Sequence, residues 1–115
     1  MTVWEINLNQ PWFDLVRNGK KSVEVRLNKG SVLQFKAGDT LKCYDMDYSQ
    51  SFCVEILAIK QYPSLNELLA ENGLEKVLPG VTTISVAEYI YRRYFRQCTE
   101  ERYGLVAIDL RPEIL

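Results

Sequence analysis

Apolar and polar residues alternate through VWEINL, which predicts a first strand over 3–8. The period then lengthens. In PWFDLVRNG, Trp12, Leu15 and Val16 recur at helical spacing, with Pro11 at the helix start and Gly19 beyond its end. Alternation returns over 22–27, where Val23 and Val25 share one face and Glu24 and Arg26 the other, roughly 7 Å apart by strand geometry. A turn at Gly38 and Asp39 leads into a strand over 40–45. The β-branched and aromatic run SFCVEILAIK, 51–60, pairs with it as a hairpin centred near Tyr48.

Two later segments carry the same helix-start signature. Ser64 with Glu67, and Ser85 with Glu88, have the spacing in which a serine and a glutamate satisfy each other's nearby backbone donors. The first helix is expected to run to about Gly73 and the second to about residue 96, with LEKVLPG an irregular connection between them. GLVAIDL, 104–110, is the last strand, stopped by Arg111 and Pro112. The whole chain, 1–115, reads as a single α+β domain. The expected architecture is a small, curved, largely antiparallel β-barrel of about five strands with about three helices. No strand leads into a glycine-rich phosphate loop, so neither nucleotide-binding α/β fold has support.

Length and composition are those of an ordinary globular domain: 115 residues, with 14 basic against 15 acidic side chains. No apolar run is long enough to span a bilayer and the N-terminus lacks a secretory pattern, so the expectation is a cytoplasmic protein with no membrane partner. Three cysteines stand without a C-x-x-C pair or any histidine, and no metal or other cofactor is called for. Cys43 and Cys53 lie on the two arms of the expected hairpin, where a disulfide is geometrically allowed; reduced thiols fit a cytosolic protein better.

The absence of histidine removes the common nucleophilic triads and the commonest proton shuttle. Any catalysis must run on Lys, Glu, Asp, Tyr, Cys or Ser. Near-zero net charge argues against binding nucleic acid by overall attraction, yet the charge is uneven. Arg17, Lys20, Lys21, Arg26, Lys29 and Lys36 cluster early, and Arg92, Arg93, Arg96 and Arg102 late, around an acidic middle. If the fold joins the two groups, one face carries a local positive field.

The densest chemistry is GKKSVEVR, residues 19–26. Its bland reading is a solvated edge strand with a surface ion pair, worth less than about 1 kcal/mol. Its functional reading is a ligand cleft. Lys21 and Arg26 would hold phosphate or carbonyl oxygens and Glu24 would accept from an exocyclic amine. Tyr44, Tyr94 and Tyr103 offer rings on which a base can stack. A lysine tuned by burial beside a carboxylate could also serve as a base.

The chain resembles the ASCH domain, a family of small β-barrel proteins related in fold to the PUA domain. The likeness rests on G-x-K-x-x-E-x-R at Gly19, Lys21, Glu24 and Arg26, supported by PWFDLVRNG, KAGD, LEKVLPG and ERYGLVAIDL in family order. The resemblance implies an RNA-associated module whose cleft faces RNA or a nucleoside or nucleotide ligand. The expected ligand-binding set is Lys20, Lys21, Ser22, Glu24, Arg26 and Tyr103. Some members are enzymes, one branch hydrolysing N-acylated cytidines and another member acting as a ribonuclease. Lys21 matches the catalytic lysine of the amidohydrolase branch, Glu24 stands at its threonine position, and its glutamate has no match before the last predicted helix. Lys21 and Glu24 are the catalytic candidates if the protein is an enzyme. A protein-interaction module, with the polar face docking a partner, is the third reading.

Overall fold

A computed structural model describes residues 1–113. Five strands, β1 (Val3–Asn7), β2 (Val23–Leu27), β3 (Thr40–Tyr44), β4 (Ser51–Tyr62) and β5 (Leu105–Pro112), form one sheet in the order β1-β3-β4-β5-β2. β1 runs parallel to β3, and the other three pairings are antiparallel. β4 is the long element. Its first residues pair with β3, and most of its length pairs with β5 across a bulge between Ile56 and Ala58. A bulge bends its strand and increases local twist, which suits a sheet curling into a half-barrel.

The two faces of this sheet have different cores. Phe13 and Val16 of helix α1 (Trp12–Arg17), with Phe35, pack against Leu41, Val54, Ile56 and Ile108 on the inner face. On the outer face Val23, Val25, Leu105 and Ala107 meet the helices α2 (Leu65–Asn72), α3 (Leu74–Val77) and α4 (Ile84–Arg92). β5 is covered on both sides, and Leu105–Ile108 are all buried. Gly19, at φ 82°, takes the left-handed turn that lets the chain leave α1 and enter β2.

Several expectations are refined. Ser64 caps α2, accepting from the Glu67 N–H at 3.2 Å. The cap of α4 is Thr83, not Ser85: its hydroxyl accepts from the Val86 N–H at 3.3 Å. That helix ends at Arg92, short of residue 96. LEKVLPG holds one helical turn, α3, and a further helix, α5 (Gln97–Tyr103), fills the connection into β5. The strand β5 continues through Pro112. Cys43 lies opposite Phe52, and Cys53 opposite Lys42. One residue out of register, the two thiols point to opposite faces, and both are free.

Two carboxylates tie distant segments together. Asp39, in the turn before β3, accepts from the Trp4 indole N–H at 3.0 Å and the Thr2 and Lys36 backbone N–H groups at 3.0 and 3.1 Å. Buried Glu100 on α5 accepts from Arg92 Nη1 at 2.8 Å and from the Leu65 N–H at 3.0 Å, joining three helices.

Glu100→Ala is expected to lower stability by about 1–3 kcal/mol, because it orphans a buried backbone donor and a guanidinium; denaturant titration measures it. The Trp4 donor, aided by Thr2 and Lys36, holds the Asp39 carboxyl below its usual range. A depressed folded pKa means its stabilisation is full above the unfolded value, about pH 4, and is lost as pH falls through the folded one. The melting temperature of Asp39→Ala should therefore sit below wild type at pH 7, and the gap should narrow in acid.

Candidate functional site

Alternation along β2 sends Val23 and Val25 outward to the helices and Glu24 and Arg26 to the inner face. There Glu24 lies opposite Ile108, and Arg26 opposite Val106. Glu24 is buried. Its Oε1 accepts from the Val25 N–H at 3.1 Å and lies 3.7 Å from Lys21 Nζ. Its Oε2 accepts from Arg26 Nε at 3.1 Å and Nη2 at 2.9 Å. A carboxylate has about four lone-pair sites; hydrogen bonds fill three of those on Glu24, and the Lys21 ammonium faces the remainder as an ion pair.

The two cations differ. Lys21 is 2% exposed, and its ammonium donates to the carbonyls of Val23, at 2.7 Å, and Val77, which ties β2 to α3. Its hydrogen bonds go to the backbone, and with Glu24 it makes a buried ion pair at 3.7 Å. Arg26 is partly exposed, and Nη2 also reaches the Asn7 carbonyl at 2.9 Å. Since β1 and β2 are the two edges of the sheet, this bond joins them. Among the described residues nothing pairs with Arg26 Nη1.

Burial drives the Lys21 ammonium below its usual pKa, with Glu24 opposing and Arg26 adding to the shift. Burial would raise the Glu24 carboxyl, but Arg26 and Lys21 outweigh it and hold the group below its ordinary value. The Cys43 thiol, buried on the same face, is pushed up to about 12, first by burial and then by Glu24. It is a packing group at neutral pH, not a nucleophile.

Lys21, Glu24 and Arg26 form one wall of a cavity of about 490 Å³, within the size range of small-ligand pockets. Opposite stand rings: Trp12 from α1, Tyr91 from α4, and Tyr94 and Phe95 from the turn that follows. Tyr91 and Phe95 stack with centroids 5.8 Å apart. Asn9 donates to the Tyr94 hydroxyl at 3.2 Å across the mouth, and Lys29 stands on the rim.

Of the predicted set, Lys21, Glu24 and Arg26 share this cavity; Lys20, Ser22 and Tyr103 lie outside its lining. Lys20 is exposed, and the backbone of Ser22 is engaged by Lys76 and Leu110. Tyr103 borders a separate shallow dent, with Lys29 4.9 Å and Arg102 5.2 Å from its ring centroid. The early and late basic groups therefore meet at that ring. Tyr44 donates to Glu5 at 2.7 Å, away from the cavity. Trp12, read as packing, and Tyr91 and Phe95 are the aromatic lining residues that sequence reasoning did not single out for the site, and Asn7 and Asn9 are polar ones. The i, i+3, i+4 spacing of Tyr91, Tyr94 and Phe95 was the available signal, since it places three rings on one side of a helix end. Among the described residues no cluster of acidic or sulfur side chains could hold a metal, and no helix is long and apolar enough to cross a membrane.

The chain is similar to the crystal structure of hypothetical protein PH0355, at 33% identity and a TM-score of 0.87, over 97% of this chain and 100% of that one. It is also similar to the solution structure of protein PF0455 from Pyrococcus furiosus, at 34% identity and a TM-score of 0.79, over 99% and 100%. An ASCH crystal structure from Zymomonas mobilis, at 20% identity and a TM-score of 0.66 over 96% of this chain and 67% of that one, shares the fold. No curated protein matches. The family model of the ASCH domain matches residues 6–113. With the half-barrel, the G-x-K-x-x-E-x-R strand and this coverage together, the chain belongs to the ASCH domain family, which is thought to bind RNA.

Proposed function

We propose that this domain binds RNA by taking an unpaired nucleotide into the cavity beside Lys21, Glu24 and Arg26. The observation that carries the reading is Arg26: its guanidinium plane is locked by Glu24 and the Asn7 carbonyl while Nη1 stays open, facing a wall of aromatic rings. Sequence-reading RNA modules splay single-stranded bases onto aromatic and arginine planes in this manner. Lys29 on the rim suits a phosphate. Lys21 and Glu24 act by positioning Arg26: both are buried, and most of their hydrogen-bonding capacity is spent on backbone groups and on Arg26. A concave, ring-lined site suits a planar ligand better than a docked protein surface, and three free thiols suit the reducing cytoplasm.

One observation favours a hydrolase as the second reading. Lys21 has a lowered pKa, borders the cavity and sits beside a carboxylate, as a general base would. Against it, the ammonium donates to two carbonyls, so a neutral amine would turn its lone pair toward acceptors. Incubation with N-acetylcytidine separates the two. We expect no deacylation at any pH; turnover that rises with pH and disappears in Lys21→Arg would establish the hydrolase.

The binding reading is tested by fluorescence anisotropy with short single-stranded RNA. Affinity should fall as salt is added. Lys29→Ala, on an exposed rim residue, should weaken binding and flatten the salt slope by roughly 0.7, the share of one single-strand phosphate contact. Lys60→Ala, on an exposed side chain outside the cavity lining and paired with Glu71, should change neither. Wild-type protein that shows no binding at low salt would overturn the reading.

A further inference from the structure

Among the described residues, the Tyr91 hydroxyl is the buried side-chain polar atom without a hydrogen-bond partner. The residue is 5% exposed, and its ring is held by Phe95 on one side and the helix layer around it. A buried hydroxyl without a partner is destabilising by about 1–3 kcal/mol, and such atoms call for an explanation. This one borders the same cavity as Arg26. Burial first, and then the nearby Glu24 carboxylate, keep the phenol protonated, so it arrives as a neutral donor.

The cavity's spare polar capacity is therefore lopsided. Glu24 spends three of its roughly four lone pairs on Val25 and Arg26 and turns its remaining side to the Lys21 ammonium, Lys21 spends two protons on carbonyls, and Arg26 only donates. On the buried wall, what remains open is the Nη1 edge of Arg26 and the Tyr91 hydroxyl; at the mouth the Asn9 side-chain oxygen, the Tyr94 hydroxyl proton and the Lys29 ammonium also keep capacity for a ligand. Two donors sharing one cavity call for an acceptor with two lone pairs. A carbonyl oxygen has two; a ring nitrogen has one.

We infer that Tyr91 is a specificity-determining residue, donating with Arg26 to the carbonyl oxygen of a keto-bearing nucleobase. This rests on the RNA-binding reading and deepens it. Uracil, cytosine and guanine carry such an oxygen, and adenine does not. The base plane would lie against the rings of Trp12, Tyr94 or Phe95, which supply stacking without choosing among bases.

Tyr91→Phe isolates the hydroxyl, because it keeps the ring and its packing. The measurements are the melting temperature of the free protein and anisotropy titrations with short oligouridine and oligoadenosine. The melting temperature should hold or rise, since an unpaired buried hydroxyl is removed. Oligouridine affinity should fall about tenfold, the loss of one hydrogen bond in a dry site, and oligoadenosine affinity should not change. Equal losses on both RNAs, no loss on oligouridine, or a lowered melting temperature would each overturn the inference. If Lys29→Ala still weakens RNA binding in those cases, the binding reading stands and only the role of Tyr91 falls. Wild-type protein that binds neither RNA would remove both.

Discussion

Glu24 puts a carboxylate on the inner face of the half-barrel, opposite Ile108 and close to aliphatic side chains, where an isolated charge would be destabilising by several kcal/mol. Its neighbours turn that burden into a construction. Lys21 and Arg26 bring opposite charge, and Val25 adds a backbone donor. The bonds that stabilise the carboxylate also set the plane of Arg26, whose Nη2 then reaches Asn7 on the opposite edge of the sheet. Compensation of the charge, closure of the sheet edge and shape of the cavity wall are thus one arrangement. Disturbing any member disturbs all three.

The arrangement separates two cations that look equivalent in the sequence. A compact ammonium is held by hydrogen bonds to two carbonyls and an ion pair with a carboxylate, and Lys21 ends as a pin between β2 and α3. A guanidinium has five donors in a flat fork, more than Glu24 and Asn7 can take, so one edge of Arg26 stays open. Helix α4 and the turn after it bring the facing wall. Tyr91 and Phe95 bury their rings in the helix-side core while bordering the cavity, so packing and binding surfaces are continuous there.

Local patterns carried much of the fold. The alternation around Val23 and Val25 marked both the strand and the face on which Glu24 and Arg26 meet, because strand side chains have no freedom to change sides. Ser64 announced α2 through a cap that needs only three residues of context. At the start of α4 the Ser85–Glu88 spacing pointed to the wrong cap: Thr83, two residues earlier, accepts from the Val86 N–H, and the helix it starts buries Ala87 and Tyr91 in the helix-side core. Helix α5 was missed because QCTEERY lacks an apolar stripe. It is held by Glu100, whose partners come from α2 and α4.

The sequence by itself determined the α+β fold class, its strands, and the coincidence of Lys21, Glu24 and Arg26, since these depend on periodicity and short-range spacing. Tertiary structure alone decided what each of them does. Whether a charge is spent or available depends on which carbonyls and side chains surround it. Those partners, Val77, Asn7 and the rings of α4 and its following turn, come from segments that no local pattern links to β2. For the same reason Tyr103, close in chemistry to what a base needs, lies outside the cavity, while Tyr91, unremarked in a helical stripe, borders it with a hydroxyl that nothing else in the described structure engages.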